Sequence, residues 1–213
     1  MKTAIIAGAT GLVGKELVQK MLQSDQYNRI YLISRKPCGI IHQKIHEIII
    51  DFEQIGQIIL ENPVDEAFCT LGTTMKQAGS RDKFRKVDLE YVLSFARLAK
   101  TSGASKFLVI SSMGANPKSA VFYNKIKGLA EEGLKNLGFK YLIILRPSLL
   151  LGKRPEPRFT ELLGTIVMKA FRFLIPDNYK AIEASRVAEK MLEMADKANE
   201  GVTVVESGEI IAN

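Results

Sequence analysis

The first fourteen residues constrain this chain most: MKTAIIA, then GATGLVG. Gly8, Gly11 and Gly14 follow a short apolar run, and a helical pattern of Leu12, Val13, Leu17, Val18, Met21 and Leu22 leaves them. A strand, a tight glycine turn and a helix, in that order, are how an open α/β sheet holds a dinucleotide pyrophosphate. Glycine permits the turn and lets the backbone approach the phosphates. The helix turns its free N–H groups and positive dipole end toward the anion. The alternative is a glycine-rich turn that only packs the first helix on the sheet.

The rest of the chain alternates strand and helix. Strand patterns occupy Lys2–Ala7, Arg29–Ser34, Lys44–Asp51, Glu66–Thr70, Lys106–Ser111 and Lys140–Arg146. Several are near-continuous apolar runs, as parallel strands covered on both faces require. Between them, Arg81–Thr101 carries Phe84, Val87, Tyr91, Phe95, Leu98 and Ala99 at helical spacing, and Ser119–Leu137 reads as another helix. The alternation predicts an α/β fold, a doubly wound parallel sheet of the Rossmann type with right-handed crossovers. After Arg146 the pattern changes. Residues 147–158 read as a proline-rich loop, Phe159–Leu174 as an apolar-faced helix, Ala184–Lys197 as a final helix and Val202–Glu206 as a last edge strand. No linker separates a second unit. Residues 1–213 are therefore expected to form a single domain, with 147–213 as a small C-terminal helical cap on the substrate side.

Composition sets bounds. Of 213 residues, 46% are hydrophobic and 25% charged, enough for one buried core with an ordinary surface. No apolar run approaches the roughly 20 residues that cross a bilayer. The N-terminus enters a strand after one lysine, unlike a signal peptide. Cys38 and Cys69 form no C-x-x-C pair, so the expectation is a cytoplasmic protein with reduced thiols. The net charge of +7 is spread along the chain. Its denser stretches are Lys76, Arg81, Lys83, Arg85, Lys86, and Arg146, Lys153, Arg154, Arg158. They read mainly as solvated surface, with attraction of an anionic substrate as the other reading. Neither stretch interleaves with aromatics, and no zinc-finger spacing occurs, so neither nucleic acid nor membrane is an expected partner. His42 and His46 lack a completing set of ligands, and no metal is expected.

Strand ends carry the candidate chemistry. At the second, Arg35 stands between Ser34 and Lys36 with no acid present. A basic residue there suits the 2′-phosphate of NADP, an acid the 2′-hydroxyl of NAD. Asp51 and Phe52 end the third strand and could border the adenine, or Asp51 could simply cap a following helix. The fourth strand ends in Cys69-Thr70-Leu71-Gly72-Thr73-Thr74, a small, hydroxyl-rich segment that allows close approach to a ribose or nicotinamide, although a mere turn would look much the same. Ser111 and Ser112 end the fifth. Tyr123 and Lys127, four apart, share one helix face. The ammonium would favour the phenolate, the tyrosine would exchange a proton with a substrate oxygen, and a serine hydroxyl would polarise that oxygen. The lysine could also hold the cofactor ribose.

The set GATGLVG, ISR, CTLGTT, VISSMGA, YNKIK and LRPSLLLG resembles the short-chain dehydrogenase/reductase superfamily, in particular its extended and atypical members. The likeness is greatest to the group of Tat-interacting oxidoreductases and their bacterial relatives. It implies that Gly8, Thr10, Gly11, Leu12, Val13 and Gly14 hold the pyrophosphate and Arg35 the 2′-phosphate. It also implies that Leu71 and Gly72 line the cleft, and that Pro147 and Ser148 adjoin the nicotinamide. Ser112, Tyr123 and Lys127 become the catalytic set, with Ser111 as the alternative serine. The expected function is NADP(H)-dependent hydride transfer to or from a small carbonyl or alcohol substrate, with NAD the less expected cofactor. A homodimer is compatible with this. The alternative is a dinucleotide-binding, redox-sensing regulator acting through a protein partner.

Overall fold

Seven parallel strands build the sheet, in the order β3-β2-β1-β4-β5-β6-β9. The computed structural model describes residues 1–152, 180–197 and 199–212. The central strands are β1 (Lys2–Ala7), β4 (Glu66–Cys69), β5 (Lys106–Ile110) and β6 (Tyr141–Arg146). Outside β1 lie β2 (Tyr27–Ser34) and β3 (Ile45–Ile49), and outside β6 lies β9 (Gly201–Glu206). Every pairing is parallel, so each strand returns through a crossover and all the C-terminal ends lie along one edge. Ala7, Cys69 and Val109 are register partners there. The chain reverses its direction of winding beside β1, which opens the crevice where such sheets receive ligands.

Each sheet face buries its own core. Helix α1 (Leu12–Gln23) places Leu17, Val18 and Met21 against Ile6, Leu32 and Leu108. Helix α6 (Ala184–Lys197) adds Val187, Ala188 and Met191 to the same layer. On the other face, α4 (Tyr91–Thr101) packs Val92, Phe95 and Ala99 on Ile5, Ile33, Phe107 and Ile144. Helix α5 (Phe122–Asn136) closes that layer with Leu134 and meets Phe84 and Leu89 through Ile126 and Ala130.

Two expectations about elements change. The expected helix Arg81–Thr101 is α3 (Arg81–Arg85), a π-helical turn over Lys86–Glu90, then α4. A π turn shifts the side-chain register. Asp88 and Leu89 consequently enter the buried face, and Val87, expected there, is only half-buried. The proline-rich loop also contains a two-residue strand, β7 (Leu150–Leu151), paired with β8 (Ile182–Glu183). Ser148 helps set this pairing, because its hydroxyl donates to the Lys180 carbonyl at 2.5 Å. The expected helix Phe159–Leu174 and the basic residues Lys153, Arg154 and Arg158 lie outside the described residues. Helix α2 (Met75–Ala78) and the C-terminal α7 (Ser207–Ile211) complete the fold.

Candidate functional site

The glycine turn leaves β1 with Gly8 at φ +94°, a conformation that L side chains rarely adopt. A Cβ on Gly8 would meet the Thr70 carbonyl carbon at 2.6 Å. Thr70 is fixed there by donating its N–H and its hydroxyl to the Ala7 carbonyl, at 2.9 and 3.1 Å. Gly11 is the N-cap of α1. It offers no side-chain cap, and no acidic residue stands in the first turn. Among the described residues the first N–H groups of α1 thus meet neither a side-chain cap nor a first-turn acid, the condition under which a helix N-terminus accepts phosphate. Thr10 is exposed, Gly11 and Leu12 are half-buried, and Val13 and Gly14 are buried beneath them.

Beyond β4, Gly72 is exposed over a buried ion pair. Lys127 Nζ and Asp88 Oδ1 are 2.7 Å apart, and the Thr73 N–H donates to Asp88 Oδ2 at 2.9 Å. Burial works against the lysine charge, but Asp88 and Tyr123 outweigh it and hold the Lys127 pKa above its ordinary value. Lys127 is therefore an ammonium already matched by a carboxylate. The sequence reading missed Asp88. Its signal was an acid four residues after Phe84, inside an apolar stripe.

At the end of β5 the two serines differ. Ser111 Oγ donates to Glu131 Oε1 at 2.5 Å. Arg146 grips the same carboxylate with two bonds, Nε to Oε1 at 3.0 Å and a terminal nitrogen to Oε2 at 2.6 Å, and reaches Glu206 at 2.9 Å. Ser112 Oγ is buried and makes no hydrogen bond among the described residues. The loop after Ser112 lies directly on α5. A Cβ at Gly128 would fall 2.2 Å from the Asn116 carbonyl carbon, so only glycine admits this approach. Tyr123, on the first turn of α5, is half-buried with its ring 5.4 Å from that of Phe84. Glu131 was also missed. It sits one turn after Lys127 on the same buried face.

The remaining expected residues divide. Arg35 is exposed just beyond the end of β2; burial, aided by Glu53 and Asp51, holds the Tyr91 pKa above its ordinary value, and Lys86 and Arg35 oppose that shift. Asp51 caps the following 3₁₀ turn, accepting from the Glu53 N–H at 3.0 Å, which is the simpler of its two expected roles. Phe52 is buried, its ring 5.4 Å from Tyr91, and forms part of the core. Pro147 is buried and its carbonyl accepts from the Met113 N–H at 3.1 Å, joining the ends of β5 and β6. Of the basic residues, Arg146 is neutralised by two carboxylates and Lys86 pairs with Glu53 at 2.5 Å.

A bare glycine cradle, an uncapped helix N-terminus and one unpartnered buried hydroxyl lie along the same strand edge. They fit a dinucleotide running from Arg35 past the turn toward Ser112 and Tyr123.

The NAD dependent epimerase/dehydratase family matches residues 4–172. Protein HTATIP2 of Rattus norvegicus is 34% identical over 182 residues, covering 84% of this chain and 73% of that protein. The mitochondrial protein FMP52 of Debaryomyces hansenii is 36% identical over 157 residues, covering 72% of this chain and 69% of that protein. Among solved structures, the fold is similar to that of the Bordetella bronchiseptica enzyme WbmH in complex with NAD+. The TM-score is 0.73 at 15% identity, over 98% of this chain and 76% of that one, a likeness of fold alone. The expected cytoplasmic location is corrected by these relatives, since FMP52 is named as mitochondrial. That expectation rested on unpaired thiols and the lack of an apolar leader. Neither excludes an organelle, because mitochondrial leaders are amphipathic rather than apolar.

Proposed function

The chain belongs to the NAD dependent epimerase/dehydratase family, and we propose that it is an NADP(H)-dependent oxidoreductase acting on a small carbonyl or alcohol substrate. The observation that carries this reading is Ser112 Oγ, a buried hydroxyl without a partner at the strand edge that α5 closes with Tyr123 and Lys127. A buried unmatched donor costs stability unless a ligand completes it. Ser111, committed to Glu131, is the weaker candidate.

When bound, the nicotinamide supplies or accepts the hydride. The residues of this chain do the rest. Gly8, Gly11 and Gly14 admit the pyrophosphate, and the N–H groups after Thr10, at Leu12 and Val13, bind it. Arg35 pairs with the 2′-phosphate. Leu71 and Gly72 wall the cleft, Lys127 donates to the ribose, and Pro147 and Ser148 border the nicotinamide end. Ser112 polarises the substrate oxygen, and Tyr123 gives or takes its proton. Residues 147–213 complete the substrate side of a single domain.

The test is binding of NADPH followed by a screen of carbonyl compounds. Tyr123→Phe should abolish turnover and keep cofactor affinity. Full activity in that variant would remove the proposed chemistry. Product analysis separates it from epimerisation, which leaves no net redox change.

One observation favours a second reading, a dinucleotide-binding regulator with a protein partner. Asp88 already matches the Lys127 charge, so less of that charge is available to activate Tyr123. Tight dinucleotide binding without turnover, together with a ligand-dependent partner, would support this reading.

A further inference from the structure

Between Ser34 and Cys38 the chain leaves β2 with Arg35, Lys36 and Pro37 exposed. Neither cation makes a hydrogen bond or an ion pair among the described residues. Both ends of this segment are held by one atom. Glu47 Oε1 accepts from the Cys38 N–H at 2.6 Å and from the Ser34 hydroxyl at 3.1 Å. Glu47 is the register partner of Leu32, two residues before Ser34, and its side chain reaches from the edge strand β3 to the end of β2. Hydrogen bonds from the Cys38 thiol and N–H and from Ser34 outweigh burial and hold the Glu47 pKa below its ordinary value, so the group is charged at neutral pH. Ser34 is buried and Cys38 packs on the core layer that contains α1, which fixes both anchors. Pro37 locks one φ angle between them. A charge on an edge strand can serve only to discourage pairing with another sheet. That role needs no bond to a neighbouring loop, and Glu47 makes two with a single oxygen.

We infer that Glu47 is a positioning residue for recognition of the 2′-phosphate, its carboxylate closing the loop that presents Arg35 and Lys36. This rests on the reading of the β2 end as the place of an NADP ribose. An anion binds more tightly when the backbone of the cations that meet it is already ordered, because that entropy was lost on folding and is not lost again on binding. With Ser34 and Cys38 tied to one oxygen, only three residues between them remain to be arranged. The Glu47 charge is itself matched by its donors, which limits its repulsion of a phosphate. In the sequence Glu47 is an acid inside the apolar run of the third strand, and nothing in its spacing points to Ser34 or Cys38.

The test is calorimetric titration of the full chain with NADPH and with NADH. Glu47→Ala should weaken NADPH about ten-fold and NADH less than about two-fold. In a background of Arg35→Ala with Lys36→Ala it should add nothing, because its effect runs through those cations. Glu47→Gln keeps an acceptor oxygen and should stay within about three-fold of the wild type for NADPH. Glu47→Asp, one methylene too short to reach both donors, should show the same split as the Ala variant and serves if that variant does not fold. Iodoacetamide labelling at pH 8 gives a readout without cofactor. In Glu47→Ala, or in Glu47→Asp where that replaces it, Cys38 should react faster while Cys69 keeps its wild-type rate, which separates a loosened loop from a loosened fold. Equal loss of both dinucleotides, additive effects in the triple variant, or unchanged Cys38 labelling overturns the inference. So does a gain in NADPH affinity, which would mean that the carboxylate opposes the phosphate. A wild type that binds NADPH no more tightly than NADH overturns the 2′-phosphate reading itself. A wild type that prefers NADPH, with Glu47 variants that keep the full preference, removes the Glu47 role alone.

Discussion

Gly14 stands directly beneath Gly8, so that a Cβ on Gly14 would lie 2.1 Å from the Gly8 carbonyl oxygen and 2.8 Å from Thr70 Oγ1. The third glycine of the turn is therefore a packing requirement between helix and strands. Gly11 differs, since its Cβ would lie 3.1 Å from the same oxygen. Gly14→Ala should destabilise the fold by about 3 kcal/mol, as forced overpacking does. Gly11→Ala should cost less than about 1 kcal/mol and weaken dinucleotide binding about ten-fold. Urea unfolding and calorimetric titration of both variants give the comparison.

Arg35 is exposed and makes no ion pair among the described residues. If it meets the 2′-phosphate, Arg35→Ala removes a charge-assisted bond worth about 1.5–3 kcal/mol. NADPH affinity should then fall by about ten- to a hundred-fold while NADH affinity stays within about two-fold. Equal NADPH and NADH affinities in the unmutated protein would set aside the NADP preference.

Glu131 takes two bonds from Arg146 and one from Ser111. Glu131→Ala leaves a guanidinium half-buried with Glu206 as its remaining carboxylate. Loss of one partner of such a pair should cost about 3 kcal/mol and lower the thermal midpoint by several degrees. Replacing both, as Glu131→Leu with Arg146→Met, should recover much of that loss. Calorimetric melting of the single and double variants checks this, and a double variant as unstable as the single one would contradict it.

The thiols set an alkaline limit. Burial, then the Glu47 carboxylate, pushes Cys38 up to about 11, and burial pushes Cys69 up to about 12. The ordinary value is 9.0. The folded state therefore keeps both protons to a higher pH than the unfolded chain. Their contribution is complete below about pH 9 and is lost as pH rises toward 11 and 12. The urea midpoint should decline over that window. At pH 8, iodoacetamide should label both cysteines slowly in the folded protein and rapidly in urea, as read by mass spectrometry.

Most of the fold was legible because strand burial is a local pattern. Apolar runs such as those ending in Ala7, Ser34 and Arg146 fall at the observed strand ends. The glycine spacing located the turn, and Val202–Glu206 falls within the edge strand Gly201–Glu206. The π turn was not legible, because inserting one residue in a helical turn leaves the apolar spacing on either side nearly intact.

The sequence by itself determined the alternation of elements, the glycine turn before α1 and the Tyr123–Lys127 helix face, all set by neighbours within a few residues. Only the tertiary structure decided which partners those residues have. It gave Lys127 to Asp88, Ser111 to Glu131 and Arg146, and left Ser112 without a partner. These assignments depend on crossovers that bring α3, the π turn and α5 against the same strand ends. Residues distant in the chain meet there, and no local periodicity encodes which of two adjacent hydroxyls, or which buried acid, will be within hydrogen-bond reach.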